Sequence, residues 1–115
     1  MKVFLSFTFL IITACTTTTP IPDKVAENNG KKIAFARDKG NCLACHKIED
    51  GEFPGNIGPP LQSLSTRFKG KQELKAQIWD ATQFNSETSM PPFGRNKILS
   101  EDEIDQVVDY LWELK

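Results

Sequence analysis

Gly40-Asn41-Cys42-Leu43-Ala44-Cys45-His46 sets two cysteines three positions apart and places the chain's only histidine directly after them. Such a group can be a redox-active dithiol, a zinc clip or a haem anchor. A disulfide across so short a loop constrains the unfolded chain little. A thioredoxin-like dithiol needs βαβ units around it, and no convincing strand pattern occurs in the sequence. A closed zinc site takes four ligands, and Cys42, Cys45 and His46 supply three, so carboxylates would have to complete the set. The third reading gives each residue its own task. Cys-x-x-Cys-His is the attachment sequence of a c-type haem. Cys42 and Cys45 would become thioethers to the two vinyl groups, and the His46 imidazole would bind the iron as an axial ligand.

The opposite face of the iron then needs a ligand. Once a leader is removed, Met90 is the single methionine left. Methionine most often fills core gaps, but Met90 stands in Ser89-Met90-Pro91-Pro92-Phe93-Gly94, not in a helical stripe. Two prolines fix two φ angles and remove two backbone donors, which makes a stiff loop able to hold a sulfur in place. A thioether ligand raises the reduction potential and suits electron transfer. Lysine or water is the fallback. The other ring nitrogen of His46 needs an acceptor that fixes its orientation. A rigid carbonyl at Pro59, within Pro54-Gly55-Asn56-Ile57-Gly58-Pro59-Pro60-Leu61, is one candidate. The alternative is that this stretch is simply a turn-rich connection.

The first residues read as an export signal. Lys2 precedes an apolar run, Val3 to Ile12, of signal-core length and short of the roughly 20 residues of a membrane-spanning helix. Ile12-Thr13-Ala14-Cys15 is similar to a bacterial lipoprotein processing site, with Cys15 acylated as the first mature residue. Ordinary cleavage near Ala14 is the other reading. Acylation would anchor the protein to a membrane. The expected organisation is a leader over residues 1–15, a Thr/Pro-rich tether over 16–27 and one domain over 28–115. Without Lys2 the chain carries 13 basic and 15 acidic side chains, a net charge of −2, which argues against a nucleic-acid partner.

Within the domain, Asp23 could cap a helix running to Lys39, and Gly40 fits the left-handed position that ends helices. Gly30 would lie inside this helix, where glycine costs about 1 kcal/mol relative to alanine. Either a close helix crossing explains it, or the helix starts later, at Asn28 or Asn29. Ile48 to Leu61 reads as loop. Gln72 to Ala81 reads as a short helix from Leu74, Ile78 and Ala81. Trp79 beside that stripe packs either on the porphyrin edge or in the core. Ser100 and Glu103 form a capping box. Behind it, Ile104, Val107, Val108 and Leu111 keep helical spacing, predicting a structural helix packed on the one before the haem motif. Arg67, Lys69, Lys71 and Lys75 form a small basic cluster, read as a solvated face.

Taken together, these residues resemble a class I cytochrome c from about Asn29 to Lys115. The strings GNCLACH, PGNIGPPL, QIWDAT, MPPFGRNKILSEDEID and VVDYLWEL, in that order, resemble the SoxX family, small haem subunits of SoxAX complexes. The resemblance implies an all-α fold round one covalent haem c, with His46 and Met90 as axial ligands and the Pro59 carbonyl accepting from His46. It also implies a periplasmic complex with a larger SoxA-type haem subunit that carries the catalytic haem. That complex joins thiosulfate to a cysteine of a SoxYZ-type carrier and passes electrons to an acceptor cytochrome. No catalytic residue is expected in this chain.

Overall fold

The computed structural model describes residues 22–115; the leader, Cys15 and the start of the tether lie outside the described residues. The architecture is helical, with no strand among the described residues. Four α-helices follow in order: α1 (Pro22–Phe35), α2 (Leu64–Arg67), α3 (Lys71–Trp79) and α4 (Glu101–Glu113). Single 3-10 turns occur at Cys42–Ala44 and Ala81–Gln83. No helix among the described residues is long and apolar enough to cross a membrane.

α4 forms where its signals lie. Ser100 Oγ accepts from the Glu103 amide at 3.2 Å, and Glu103 Oε2 accepts from the Ser100 amide at 2.9 Å, closing the capping box. Ile104, Val107, Val108, Tyr110 and Leu111 are all buried. They form the core with Ala34 of α1, Leu74 and Ile78 of α3, and Leu64, Phe93 and Leu99.

α1 crosses α4 at Gly30. A Cβ there would collide with the Gln106 carbonyl oxygen and stand 2.7 Å from the Tyr110 Cβ. The glycine is therefore inside the helix and is explained by close approach of two backbones, not by a late helix start. Phe35 meets Tyr110 edge-on, with ring centroids 6.4 Å apart, and Lys39 Nζ reaches Glu103 Oε1 at 2.6 Å.

The end of α1 differs from expectation. The helix stops at Phe35, four residues early, and Gly40 is not left-handed; Asn41 takes that conformation, with φ 46°. Gly40 is needed for space instead. Its amide donates to the Ile33 carbonyl at 3.0 Å, and a Cβ would press on that same oxygen and on Cys42 Sγ, 3.2 Å away. α1 also begins at Pro22, so it takes in Pro22 to Glu27, positions first read as tether.

Two of the four basic residues in the cluster are ion-paired. Lys71 pairs with Asp109 at 2.9 Å, and Lys75 with Glu101 and Asp105 at 2.9 and 2.7 Å, joining α3 to α4. Arg67 Nη1 donates to the Pro60 carbonyl at 2.9 Å.

Candidate functional site

The cysteine motif opens with left-handed Asn41 and winds one 3-10 turn. The amides of Cys45 and His46 both donate to the Cys42 carbonyl, at 3.2 and 2.9 Å. The turn holds Cys42 and Cys45 half-buried, and both thiols are free. Burial pushes the Cys42 thiol up to about 11, so in the cofactor-free chain it is protonated at neutral pH.

The glycine-proline loop lies along this motif. The Gly55 amide donates to the Leu43 carbonyl at 2.8 Å, Gly58 to Cys45 at 2.8 Å and Leu61 to Lys47 at 2.8 Å. Two glycines make the approach possible. A Cβ at Gly55 would overlap the Ala44 carbonyl, and one at Gly58 would stand 2.5 Å from Nδ1 of the His46 ring. With the loop so placed, His46 Nδ1 lies 2.7 Å from the Pro59 carbonyl oxygen. A carbonyl can only accept, so Nδ1 carries the proton and Nε2 keeps its lone pair for a metal.

Met90 follows a different path to the core. The 3-10 turn Ala81–Gln83 is capped by Asp80, whose Oδ1 accepts from the Thr82 amide at 3.1 Å. The chain then runs through Asn85 and Thr88, whose Oγ1 accepts from the Met90 amide at 3.2 Å. Met90 is partly buried against the core. Beyond it, Gly94 rests on the indole of Trp79: a Cβ would stand 2.8 Å from Cε2 and closer still to other ring atoms. Trp79 is half-buried and packs on the core.

Sequence reasoning passed over Asp80, Thr82 and Arg95. Asp80 is 3% exposed, the one buried charged residue among those described. Arg95 Nη1 donates to its Oδ2 at 2.8 Å. The hydrogen bond from the Thr82 hydroxyl, helped by the Arg95 charge, holds the Asp80 carboxyl below the usual carboxylate range. The available signal was Asp80-Ala81-Thr82, an acid two residues before a hydroxyl, the pattern of an Asx turn.

The residues fit a haem c better than the alternatives. Among the described residues, no three histidine, cysteine, aspartate or glutamate side chains, Cys42, Cys45 and His46 included, gather to hold a bare metal ion. The cysteine turn instead offers two thiols in no disulfide and an imidazole with one nitrogen oriented, and the Met90 thioether, on its proline-stiffened loop, is partly buried against the same core as Cys42.

The cytochrome c family model matches residues 27–115, and the chain belongs to the cytochrome c family. It carries one covalently bound haem c in an all-α cytochrome fold and is an electron-transfer protein. Its structure is also similar to a chain of a crystal structure described as SoxXA from P. pantotrophus. The two are 29% identical, with 90% of this chain and 89% of that chain covered and a TM-score of 0.69. The motif-based resemblance to SoxX-type cytochromes and this structural likeness point the same way. No curated protein matches the chain.

Proposed function

We propose that this chain is the small haem subunit of a periplasmic SoxAX-type complex, an electron-transfer partner in the oxidative joining of thiosulfate to a carrier-protein cysteine. The observation that carries the reading is the likeness, over nearly all of both chains, to a chain of the SoxXA structure. The five ordered strings support it independently. The larger SoxA-type subunit would form a heterodimer with this chain and present the reaction centre to a SoxYZ-type carrier. Electrons would leave through an acceptor cytochrome. Cys15, where acylated, would tether the complex to a membrane.

In this reading Cys42 and Cys45 would hold the haem as thioethers, and His46 and Met90 would bind its iron. The haem, when bound, supplies one-electron iron chemistry. The protein's contribution is placement. Pro59 and Gly58 orient His46, so that Nδ1 is engaged and Nε2 would be the nitrogen available to the iron. The Met90 loop offers a thioether, which favours the reduced iron and raises the potential. Two protein ligands leave no open position for thiosulfate, and the chain has no second histidine to serve as a base. This agrees with a subunit that moves electrons and leaves the sulfur chemistry to its partner. Phe53 and Ile57, 95% and 72% exposed on the loop tied to the haem motif, are apolar surface that a partner subunit would cover.

The test is purification of a C-terminally tagged chain from its native host grown on thiosulfate. Co-elution with a larger haem protein and thiosulfate-dependent activity support the proposal. Elution as a lone small cytochrome that exchanges electrons with an oxidase and ignores thiosulfate overturns it, in favour of a free-standing carrier.

A further inference from the structure

Both ends of the methionine loop converge on one buried carboxylate. On the way in, Asp80 Oδ1 accepts from the Thr82 amide at 3.1 Å and from the Thr82 hydroxyl at 2.5 Å. That fixes the turn Ala81–Gln83. The Asn85 amide bonds to the Ala81 carbonyl, and Thr88 bonds back to Asn85 before Met90 is reached. On the way out, Arg95 Nη1 donates to Asp80 Oδ2 at 2.8 Å and to Thr82 Oγ1 at 3.2 Å. The amides of Gly94 and Arg95 share the Trp79 carbonyl, at 3.1 and 3.3 Å. Between these two anchors stand Met90, two prolines and Phe93, which is buried and accepts from the amides of Ile98 and Leu99.

We propose that Asp80 is a positioning residue for the Met90 sulfur, acting as a clamp that grips Thr82 before the methionine and Arg95 after it. The inference rests on the reading of Met90 as an iron ligand. A stiff loop defines a sulfur's position only if its ends are fixed, and here the fixing groups are a buried acid, a hydroxyl and a guanidinium. Charge-assisted hydrogen bonds are the strong ones, and removing Arg95 takes the counter-charge from a carboxylate that is 3% exposed. Without the clamp the loop keeps its prolines and the two backbone bonds to the Trp79 carbonyl but loses its side-chain tie to Asp80, so the sulfur leaves the iron more often. Asp80, Thr82 and Arg95 belong to neither the cysteine motif nor the loop over His46.

The experiment compares Asp80→Asn, Arg95→Gln, Thr82→Ser and Met90→Ala in the full haem-loaded chain. Three quantities are read: the weak red absorption band of ferric iron bound to thioether sulfur, carbon monoxide binding to the reduced form, and helical content. Asp80→Asn and Arg95→Gln should weaken the red band and raise carbon monoxide binding roughly tenfold, the size expected when one hydrogen bond to a charged group is lost. Helical content at the same temperature should stay at the parent's value. Thr82→Ser keeps the hydroxyl and should keep the parent's band. A full red band and unchanged carbon monoxide binding in Asp80→Asn, with Met90→Ala losing the band, overturns the clamp alone. Retention of the band in Met90→Ala overturns the ligand assignment beneath it. If Asp80→Asn fails to fold, Arg95→Gln decides, since Arg95 is half-exposed.

Discussion

Gly58 lies against the imidazole of His46, so close that a Cβ would stand 2.5 Å from Nδ1 and 2.8 Å from Nε2. Nδ1 meets the Pro59 carbonyl, and Nε2 is the nitrogen that would bind the iron in the proposed site. Gly58→Ala must push the ring or the loop aside. Overpacking of this kind costs about 1–3 kcal/mol. The expected outcome is a lower unfolding midpoint together with a shifted reduction potential, read by redox titration. A destabilised protein with the parent's potential would mean that the ring's orientation does not depend on this glycine.

Gly30→Ala opposes two effects. Alanine gains about 1 kcal/mol of helix propensity, but its methyl collides with the Gln106 backbone, and backbone cannot swing away as a side chain can. The clash should win, by about 1–3 kcal/mol. Chemical denaturation measures it, and a stabilised variant would show that α1 and α4 separate at little cost.

Met90→Ala should lower the potential and open the iron to exogenous ligands. Visible spectra and a redox titration of the purified holoprotein check both parts. An unchanged spectrum contradicts the assignment.

Stability should fall on acidification, and the carboxylates say in which range. Asp80, bonded first to Thr82 and aided by Arg95, and Glu103, bonded first to Lys39, both sit below the usual carboxylate pKa. A group lowered in the folded state stabilises fully above its unfolded value, about 4, and loses that contribution as pH falls through its folded value. Glu103→Gln should therefore be less stable than the parent at neutral pH and no different once the carboxylates are protonated. Thermal unfolding at both pH values tests this, and a gap that persists in acid would assign the effect to packing.

Phe53→Asp together with Ile57→Asp should weaken co-elution with the larger haem subunit and leave the visible spectrum alone. Both side chains point into solvent, so the substitution removes no core contact. Full co-elution would place the partner on another face.

The parts of the fold that were legible are those governed by neighbours in sequence. The α4 capping box needs only Ser100 and Glu103, three apart, and its core stripe repeats at helical spacing. The cysteine motif is likewise local. What local pattern does not show depends on how segments pack against one another. Gly40 was read as a left-handed cap because glycine usually is one. The conformation went to Asn41, since Gly40 is fixed by crowding against Ile33 and Cys42. Gly30 could be placed only once Gln106 was seen across from it. Asp80 gives little sign of itself, because a carboxylate is presumed to be in water until a distant Arg95 and a nearby Thr82 are seen to bury it.

The crossing of α1 and α4 at Gly30 and Tyr110 also has a temporal meaning. The first and last described helices complete each other's core, and every residue of the haem motif and the methionine loop lies between them. α4 leaves the ribosome after all of them, so the apolar faces of Ala34, Leu74 and Ile78 wait uncovered until it is available. Closing so long a span costs chain entropy that no local turn offsets. A chain terminated before Ile104 would keep the complete Cys-Leu-Ala-Cys-His sequence and Met90, yet have no α4 core to fold against.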